Sequence, residues 1–384
     1  MNQFILAPEV QQFIADHEQD EITAVLLKGS PFPDVTVQEL AQQIQGRKIA
    51  RRKFPFLLKE HILFPPHLNL EQSSSQVTAE YKAGLISGNR FLDLTAGFGI
   101  DAFFMSQSFS DFSLVEQNTG LLDVVRHNWQ TLGKNATFIN SPLQDFINTE
   151  TDSFDVVFLD PARRDDAQRK KFLLSDLSPD ILTIRDELLK LAPTVVIKLS
   201  PLIDISYLLS VLDCVSDIHL IAVKNEMKEV VVVLKKGWIA EPVITCVNLV
   251  SQQPSFNYYL KEEMSAQPEF SEPLNYLYLP NAAVLKAGAF NLISERFKLR
   301  KLHLNSHLYT SGKHIPDFPG RSWSAELIKA GELKKGRQYN IISRNHPLTP
   351  EQIKKKYGLR DGGDLYLIFT QSAGGKQILR CTPV

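Results

Sequence analysis

Apolar residues in the first 88 positions recur at helical spacing. Val10, Phe13 and Ile14 share one face, Ile22, Val25 and Leu26 another, and Val37, Leu40, Ala41 and Ile44 a third after the break at Pro31-Phe32-Pro33. No stretch there alternates as a strand does. Between 90 and 237 the pattern changes to short apolar runs separated by helical segments. Strands are predicted at 90–95, 112–116, 137–140, 155–160, 194–198, 217–222 and 229–235, with helices at 119–132 and near 177–190 and 203–212. That alternation predicts a parallel sheet covered by helices on both faces. The runs 218–223 and 229–234 are joined by a link too short for a crossover helix, so the last strand is expected to be antiparallel. Beyond Gly237 two strands, 243–250 and 256–260, flank Gln252-Gln253-Pro254. From residue 276 the order is strand 276–279, helix 281–296, strand 299–304, a mixed stretch to Gly336, strand 338–343, helix 350–357 and a hairpin of 364–370 with 376–381. This order suits a ferredoxin-like plait. The expected domains are therefore helical (1–88), Rossmann-like α/β (89–237), linking strands (238–275) and ferredoxin-like α+β (276–384).

The 384 residues exceed one ordinary core, consistent with that division, and 43% hydrophobic with 22% charged residues is the make-up of a globular protein. A net charge of -1 excludes a chain that coats nucleic acid by bulk charge. Positive charge is instead local: Arg47, Lys48, Arg51, Arg52 and Lys53; Arg296, Lys298, Arg300 and Lys301; Lys334, Lys335 and Arg337; and Lys354, Lys355 and Lys356. The first of these runs reads equally as a solvated helix face and as a phosphate-contacting patch. Three scattered cysteines, Cys214, Cys246 and Cys381, form neither a zinc pattern nor a disulfide framework, and the expected setting is a reducing cytoplasm. No basic leader precedes an apolar core at the N-terminus, and no apolar run approaches the roughly 18 residues of a membrane span. His303 and His307 are four apart in a stretch that reads as a strand, which argues against a shared metal.

Chemistry concentrates in 91–101, FLDLTAGFGID. Apolar Phe91, Leu92 and Leu94 form a buried strand, Asp93 stands where it ends, and Gly97 and Gly99 turn the chain without Cβ atoms, so a ligand can approach the backbone. About twenty residues on, Glu116 ends the next strand, where a carboxylate can hold a ribose hydroxyl pair. Together these make a nucleoside cofactor site. The run from Gly97 through Phe98 and Gly99 to Ala102 fits a dinucleotide G-x-G-x-x-A spacing, a pattern that is weak alone. It also resembles motif I of class I S-adenosylmethionine (SAM) methyltransferases, with Thr95 in place of the first glycine. Downstream, the apolar strand 154–159 leads into Asp160-Pro161-Ala162-Arg163-Arg164, which resembles motif IV of nucleic-acid methyltransferases, with alanine for the second proline.

These motifs, the later Lys198-Leu199-Ser200-Pro201 and the α/β tail resemble bacterial class I SAM-dependent methyltransferases with a C-terminal THUMP-like domain. The resemblance implies a seven-stranded Rossmann-like fold, SAM as cofactor and an RNA substrate; the alternatives are the same core acting on DNA, protein or a small molecule, or a non-catalytic RNA-binding protein with a vestigial cofactor fold. Residue by residue it implies that Asp93, Thr95, Gly97, Phe98 and Gly99 surround the methionine part of SAM and that Glu116 takes the ribose. Asp145 would read the adenine amino group, with Phe146 beside the ring. Asp160 would accept from the substrate amino group, and its backbone carbonyl with Pro161 would hold the target base near the methyl group. Arg163 and Arg164 are candidates for substrate phosphate, against a surface ion pair. Hydroxyls in 73–78 can cap the following helix or reach the cofactor, and Lys198 at its strand end can face the crevice or cap the strand. Carbon methylation of a pyrimidine needs an activated cysteine; none sits in a motif at a strand end in the predicted crevice, so transfer to nitrogen or oxygen is expected.

Overall fold

The computed structural model describes residues 2–163 and 173–384. They form two compact units, Met1–Val215 with Val231–Ile239, and Ser216–Val230 with Ala240–Val384. In the first unit the helical pattern of the N-terminal segment becomes α1 (Pro8–Asp16), α2 (Ile22–Lys28) and α3 (Val37–Lys53). A capping box of Thr36 and Glu39 starts α3 by satisfying backbone N–H groups that the first helical turn leaves unpaired. Val10, Ile14, Val25, Leu40, Ile44 and Leu63 close a small core. Gly46 lets α3 approach the chain after it, since a Cβ there would lie 2.2 Å from the Cβ of Phe64.

The positive run on α3 is mostly used internally. Arg47 and Arg51 both meet Glu18, and the Lys48 ammonium donates to the Asp20 carbonyl. Lys53 donates to the carbonyls of Leu70 at 2.7 Å and Glu71 at 2.6 Å. These partners favour a structural role over a phosphate patch.

Two short helices, α4 (His67–Gln72) and α5 (Gln76–Ala83), lead to β1 (Arg90–Asp93). There follow α6 (Ile100–Met105), β2 (Asp111–Glu116), α7 (Thr119–Thr131), β3 (Thr137–Asn140), α8 (Leu143–Thr149), β4 (Val156–Leu159), α9 (Ile181–Leu191), β5 (Thr194–Leu199), α10 (Ile205–Val211), β6 (Val215–Val223) and β7 (Glu226–Lys235). β1 is parallel to both β2 and β4, β2 to β3, and β4 to β5. β6 and β7 are joined by Lys224 and Asn225 alone, with φ of 50° and 65°, the backbone of a tight hairpin turn. The N–H of Lys235 returns to the carbonyl of Cys214 at 2.9 Å, as an antiparallel pair requires.

Two further strands, β8 (Val243–Leu249) and β9 (Phe256–Tyr259), complete a nine-stranded sheet in the order β9-β8-β6-β7-β5-β4-β1-β2-β3. β8 runs parallel to β6 and β9 antiparallel to β8, so the segment after Gly237 covers what would be an open sheet edge.

The second unit holds an eight-stranded sheet of β10 (Glu269–Phe270), β11 (Tyr276–Pro280), β12 (Arg300–Lys301), β13 (Tyr309–Ser311), β14 (Gly320–Ile328), β15 (Asn340–Ser343), β16 (Tyr366–Ser372) and β17 (Gly375–Pro383), ordered β10-β12-β13-β11-β14-β17-β16-β15. The long central strand β14 occupies the stretch whose polar, mixed sequence predicts no regular element. Its residue Gly320 pairs with Pro280, and a Cβ there would sit 2.2 Å from the Leu279 carbonyl oxygen. The helix expected over 281–296 is two, Ala282–Ala287 and Leu292–Arg296, because Gly288 adopts a left-handed φ of 79°. A further helix, Pro350–Tyr357, precedes β16. His303 belongs to a turn, not a strand; its Nδ1 lies 3.0 Å from the Asn345 amide, and His307 stacks on Phe290 at 3.7 Å. Among the described residues no helix is long and apolar enough to cross a membrane, and no cluster of three His, Cys, Asp or Glu side chains is arranged for a metal.

Candidate active site

The carboxyl ends of β1, β2, β4 and β5 meet at one place because these strands are parallel neighbours in register. A ligand crevice in an open α/β sheet forms at such strand ends. Asp93 ends β1, 1% exposed, and its Oδ1 accepts from the N–H of Thr95 at 2.9 Å. Gly97 and Gly99 both have left-handed φ, 52° and 72°. They serve different ends. A Cβ on Gly99 would strike Val125 at 2.8 Å and Trp129 at 3.1 Å on α7, so this glycine lets the turn pack on its neighbour. A Cβ on Gly97 would find nothing closer than the Thr95 carbonyl oxygen at 3.8 Å, which leaves that side of the backbone open to a ligand. Phe98 is turned inward, 5% exposed, with ring centroids 6.0 Å from Phe54 and 6.4 Å from Phe64. The chain between α3 and α4 thus braces the glycine turn. It also holds α7, where the buried Asn128 side chain exchanges two hydrogen bonds with the backbone of Leu63.

Glu116 ends β2 and accepts from the N–H groups of Gly97 at 3.0 Å and Asn118 at 2.8 Å. It therefore ties the turn to the second strand while leaving lone pairs for a further donor. Thr95 has a role that explains why a hydroxyl stands where the family pattern has glycine: its Oγ1 accepts from the N–H of Asp160 at 2.6 Å, joining the ends of β1 and β4. Asp160 follows β4 directly, and Pro161 behind it is buried. Ala162 and Arg163 are exposed in a short antiparallel ladder with Leu177 and Ser178. Arg164 lies outside the described residues. Asp145, exposed, and Phe146, buried, stand in the first turn of α8, after β3.

Sequence patterns do not reveal the charged cluster beneath these residues. The Lys198 ammonium lies 2.5 Å from Asp160 Oδ2, 3.3 Å from Ser74 Oγ and 3.8 Å from Asp101 Oδ2. Lys82, fully buried on α5, meets Asp101 Oδ1 at 2.9 Å and Ser74 Oγ at 2.8 Å, and Ser74 donates to Asp101 Oδ2 at 2.7 Å. Of these, Lys198 has a visible signal in its place at a strand end, and Ser74 in the hydroxyl-rich stretch before α5.

The three acids respond differently. Burial pushes the Asp93 carboxyl well above the usual carboxylate range, its one backbone hydrogen bond too little to offset that, with Asp101, Asp160 and Glu116 adding repulsion. Burial would raise Asp101 too, but Lys82, Lys198 and Ser74 together bring it below its ordinary value. Burial also raises Asp160 above its ordinary value against the pull of Lys198. Since 35% of the Asp160 side chain remains exposed, solvent softens that rise.

The arrangement fits the SAM that the resemblance implies. An open glycine backbone can take its amino-acid end, Glu116 can take ribose hydroxyls, and a crevice with acids at several strand ends suits a ligand carrying a sulfonium and an ammonium.

The chain matches three family models: Conserved hypothetical protein 95 over residues 72–178, a ferredoxin-like domain over 276–319 and a THUMP domain-like model over 325–383. The crystal structure of a candidate methyltransferase from Porphyromonas gingivalis W83 is 30% identical, covers 99% of this chain and 98% of its own, and superposes with a TM-score of 0.87. Two further solved structures overlap only in part. A candidate methyltransferase of Streptococcus mutans in complex with SAH is 13% identical over 41% of this chain and 95% of its own, with a TM-score of 0.31. TrmK of M. capricolum, also with SAH, is 14% identical over 42% of this chain and 68% of its own, with a TM-score of 0.33. At such scores the overlap carries no functional information. No curated protein is significantly similar to the chain.

Proposed function

The chain belongs to the bacterial class I SAM-dependent methyltransferases that carry ferredoxin-like and THUMP-like C-terminal domains, and we propose that within this class it methylates a nitrogen of a base in RNA. The observation that carries this reading is Asp160, set at the end of β4 by Thr95 and by Lys198 in the crevice that also holds the glycine turn and Glu116. Bound SAM supplies an electrophilic methyl on a good leaving group. The protein's part is alignment, exclusion of water and acceptance of the charge that develops on the nitrogen. Asp160 accepts a hydrogen bond from the amino group, and the backbone carbonyl of Asp160 with Pro161 holds the base. Two thiols argue against the carbon route: Cys246 and Cys381 are fully buried, and burial raises both, Cys381 to about 12. A thiol so poorly ionised is a weak nucleophile.

Support for RNA comes from the THUMP-like match and from a basic surface in the second unit. There the chain folds so that the N–H of Gly336 meets the Gly358 carbonyl at 2.7 Å and the N–H of Arg360 the Arg337 carbonyl at 3.0 Å. This brings the exposed Lys334, Lys335 and Arg337 beside Lys355, Lys356 and Arg360. Several residues of the positive runs in this unit are committed elsewhere: Arg296 to Glu262, Arg300 to Glu269, Lys354 to Asp361, and Lys301, buried, to Asn291.

The defining experiment incubates the full chain with labelled SAM and, separately, total RNA, DNA and protein of its host, then identifies the modified nucleoside by mass spectrometry. Label in RNA at a base nitrogen is expected; label only in DNA or protein overturns the reading. Changing Lys334, Lys335, Lys355 and Lys356 together to alanine should weaken RNA binding uniformly across sequences. The salt slope should flatten by about 0.7 for each single-strand phosphate that is no longer neutralised. Filter binding at several salt concentrations measures both, and an unchanged slope would remove this surface from the RNA path. Glu116→Ala should weaken SAM binding about tenfold or more, because a hydrogen bond to a charged group disappears and the glycine turn loses its brace. Calorimetric titration reads this, and full affinity in the variant would count against Glu116 as the ribose ligand.

A further inference from the structure

We propose that Lys198 is the positioning residue of the transfer step: its ammonium occupies Asp160 Oδ2, keeps the side chain a carboxylate and leaves Oδ1 to accept from the acceptor amine. This rests on the reading of Asp160 as the substrate-side carboxylate.

The juxtaposition follows from the sheet. β4 and β5 are parallel with Val156 beside Thr194 and Leu159 beside Ile197, so the next pair in register is Asp160 beside Lys198. Their side chains meet at 2.5 Å. Exposure within the pair is unequal, 10% for the lysine side chain and 35% for the aspartate. Here the lysine stands behind and the acid faces outward, as a group that meets a ligand does.

Lys198 is itself anchored by Ser74 at 3.3 Å and Asp101 at 3.8 Å, and both of those are held by Lys82. Among the described residues, the charged groups acting on Asp160 include Lys198 from β5, Lys82 from α5, Asp101 from α6 and Asp93 from β1. Without Lys198, Asp160 loses the cation that touches it while Asp101 and Asp93 remain nearby, and it takes up a proton more readily, which turns an acceptor into a donor.

In the step itself the nitrogen lone pair forms the N–C bond as the C–S pair returns to sulfur, giving neutral S-adenosylhomocysteine. The surplus proton leaves the nitrogen through Oδ1 to solvent. Lys198 keeps its own protons throughout and acts through Asp160 alone.

The test uses full-length Lys198→Met, with Lys198→Arg as the conservative variant. The first readout needs no RNA: the carbon-13 shift of the Asp160 carboxyl, assigned by its loss in Asp160→Asn, is followed against pH. In Lys198→Met its midpoint should rise by about 1–3 pH units, as expected on removing an opposite charge within hydrogen-bond distance. SAM affinity should change little, and Lys198→Arg should return the midpoint toward wild type. The second readout is the single-turnover rate on the RNA that accepts label. Its dependence on the deprotonated carboxyl should shift to higher pH by the same amount, with the rate recovering when the pH is raised. An unmoved Asp160 midpoint, or a rate reduced equally at every pH, overturns the proposal. A moved midpoint in an enzyme that leaves RNA unmodified overturns the RNA reading instead, and the same pH profile is then taken on the substrate that accepts label. If the methionine variant fails to fold, Lys198→Gln gives the same titration.

Discussion

Asp160→Ala lowers methyl transfer by about 10²–10³-fold, the scale of removing one preorganised group that meets charge developing in a transition state. SAM binding persists, because the glycine turn and Glu116 are held by Asp93, Gly97 and Asn118 rather than by the Asp160 side chain. Asp160→Asn should fall between wild type and alanine. Its amide oxygen still accepts a hydrogen bond, while the charge that compensates the developing cation is gone. Single-turnover rates with saturating SAM, alongside SAM affinities, separate the two effects. An alanine variant that turns over at the wild-type rate would remove Asp160 from the chemistry. One that loses SAM affinity in proportion to rate would move it to the cofactor side.

Lys82→Met destabilises the first unit by about 3–5 kcal/mol, the usual cost of removing one partner of a buried ion pair. Lys82 is fully buried, and its partner Asp101 is only 8% exposed. The substitution leaves Asp101 facing Lys198 at 3.8 Å and the Ser74 hydroxyl at 2.7 Å. The pH dependence has a definite sign. Because Asp101 is held below its ordinary value in the folded state, its stabilisation is present above about pH 4 and is lost as the pH falls through the depressed value. In Lys82→Met that acid-linked loss should largely disappear, because protonating Asp101 then removes an unpaired buried charge, so the stability gap to wild type should narrow as the pH falls. Adding Asp101→Asn to Lys82→Met should recover part of the stability, since no buried charge is then left unpaired. Denaturant unfolding of the two single variants and the double variant measures the coupling; strict additivity would show that the pair is not coupled.

Elements whose evidence is local were legible in the chain. The strand, turn and strand-end acid of 91–101 and 112–116 rest on apolar runs of a few residues and on glycines needed at positive φ. The hairpin of β6 and β7 was forced by the shortness of its link. The central strand β14 was not legible. Alternation marks a strand only when one face is buried and the other wet, and in β14 only Trp323 and Ile328 are buried, with Ser324, Ala325 and Glu326 partly or wholly exposed between them. Its place comes from β11 and β17 pairing on either side, a long-range event with no mark in its own residues.

Charge shows the same division. The sequence displays Arg47, Lys48, Arg51 and Lys53 as one basic run, yet Glu18, the Asp20 carbonyl and the carbonyls of Leu70 and Glu71 take them up. Conversely Lys334, Lys335 and Arg337 join Lys355, Lys356 and Arg360 only because the chain returns on itself.

By itself the sequence determined the class of fold, the strand-end acids and the glycine turn, because each depends on backbone conformation within a few residues. Tertiary structure alone decided that Thr95 holds Asp160, that Lys198 stands 2.5 Å from it, and that Lys82 and Asp101 pair beneath both. Thr95 and Asp160 are 65 positions apart in the chain, and Lys198 reaches Ser74 across 124. Such separations are set by which strands lie side by side and in what register, a property of the packed sheet and of no local stretch of chain.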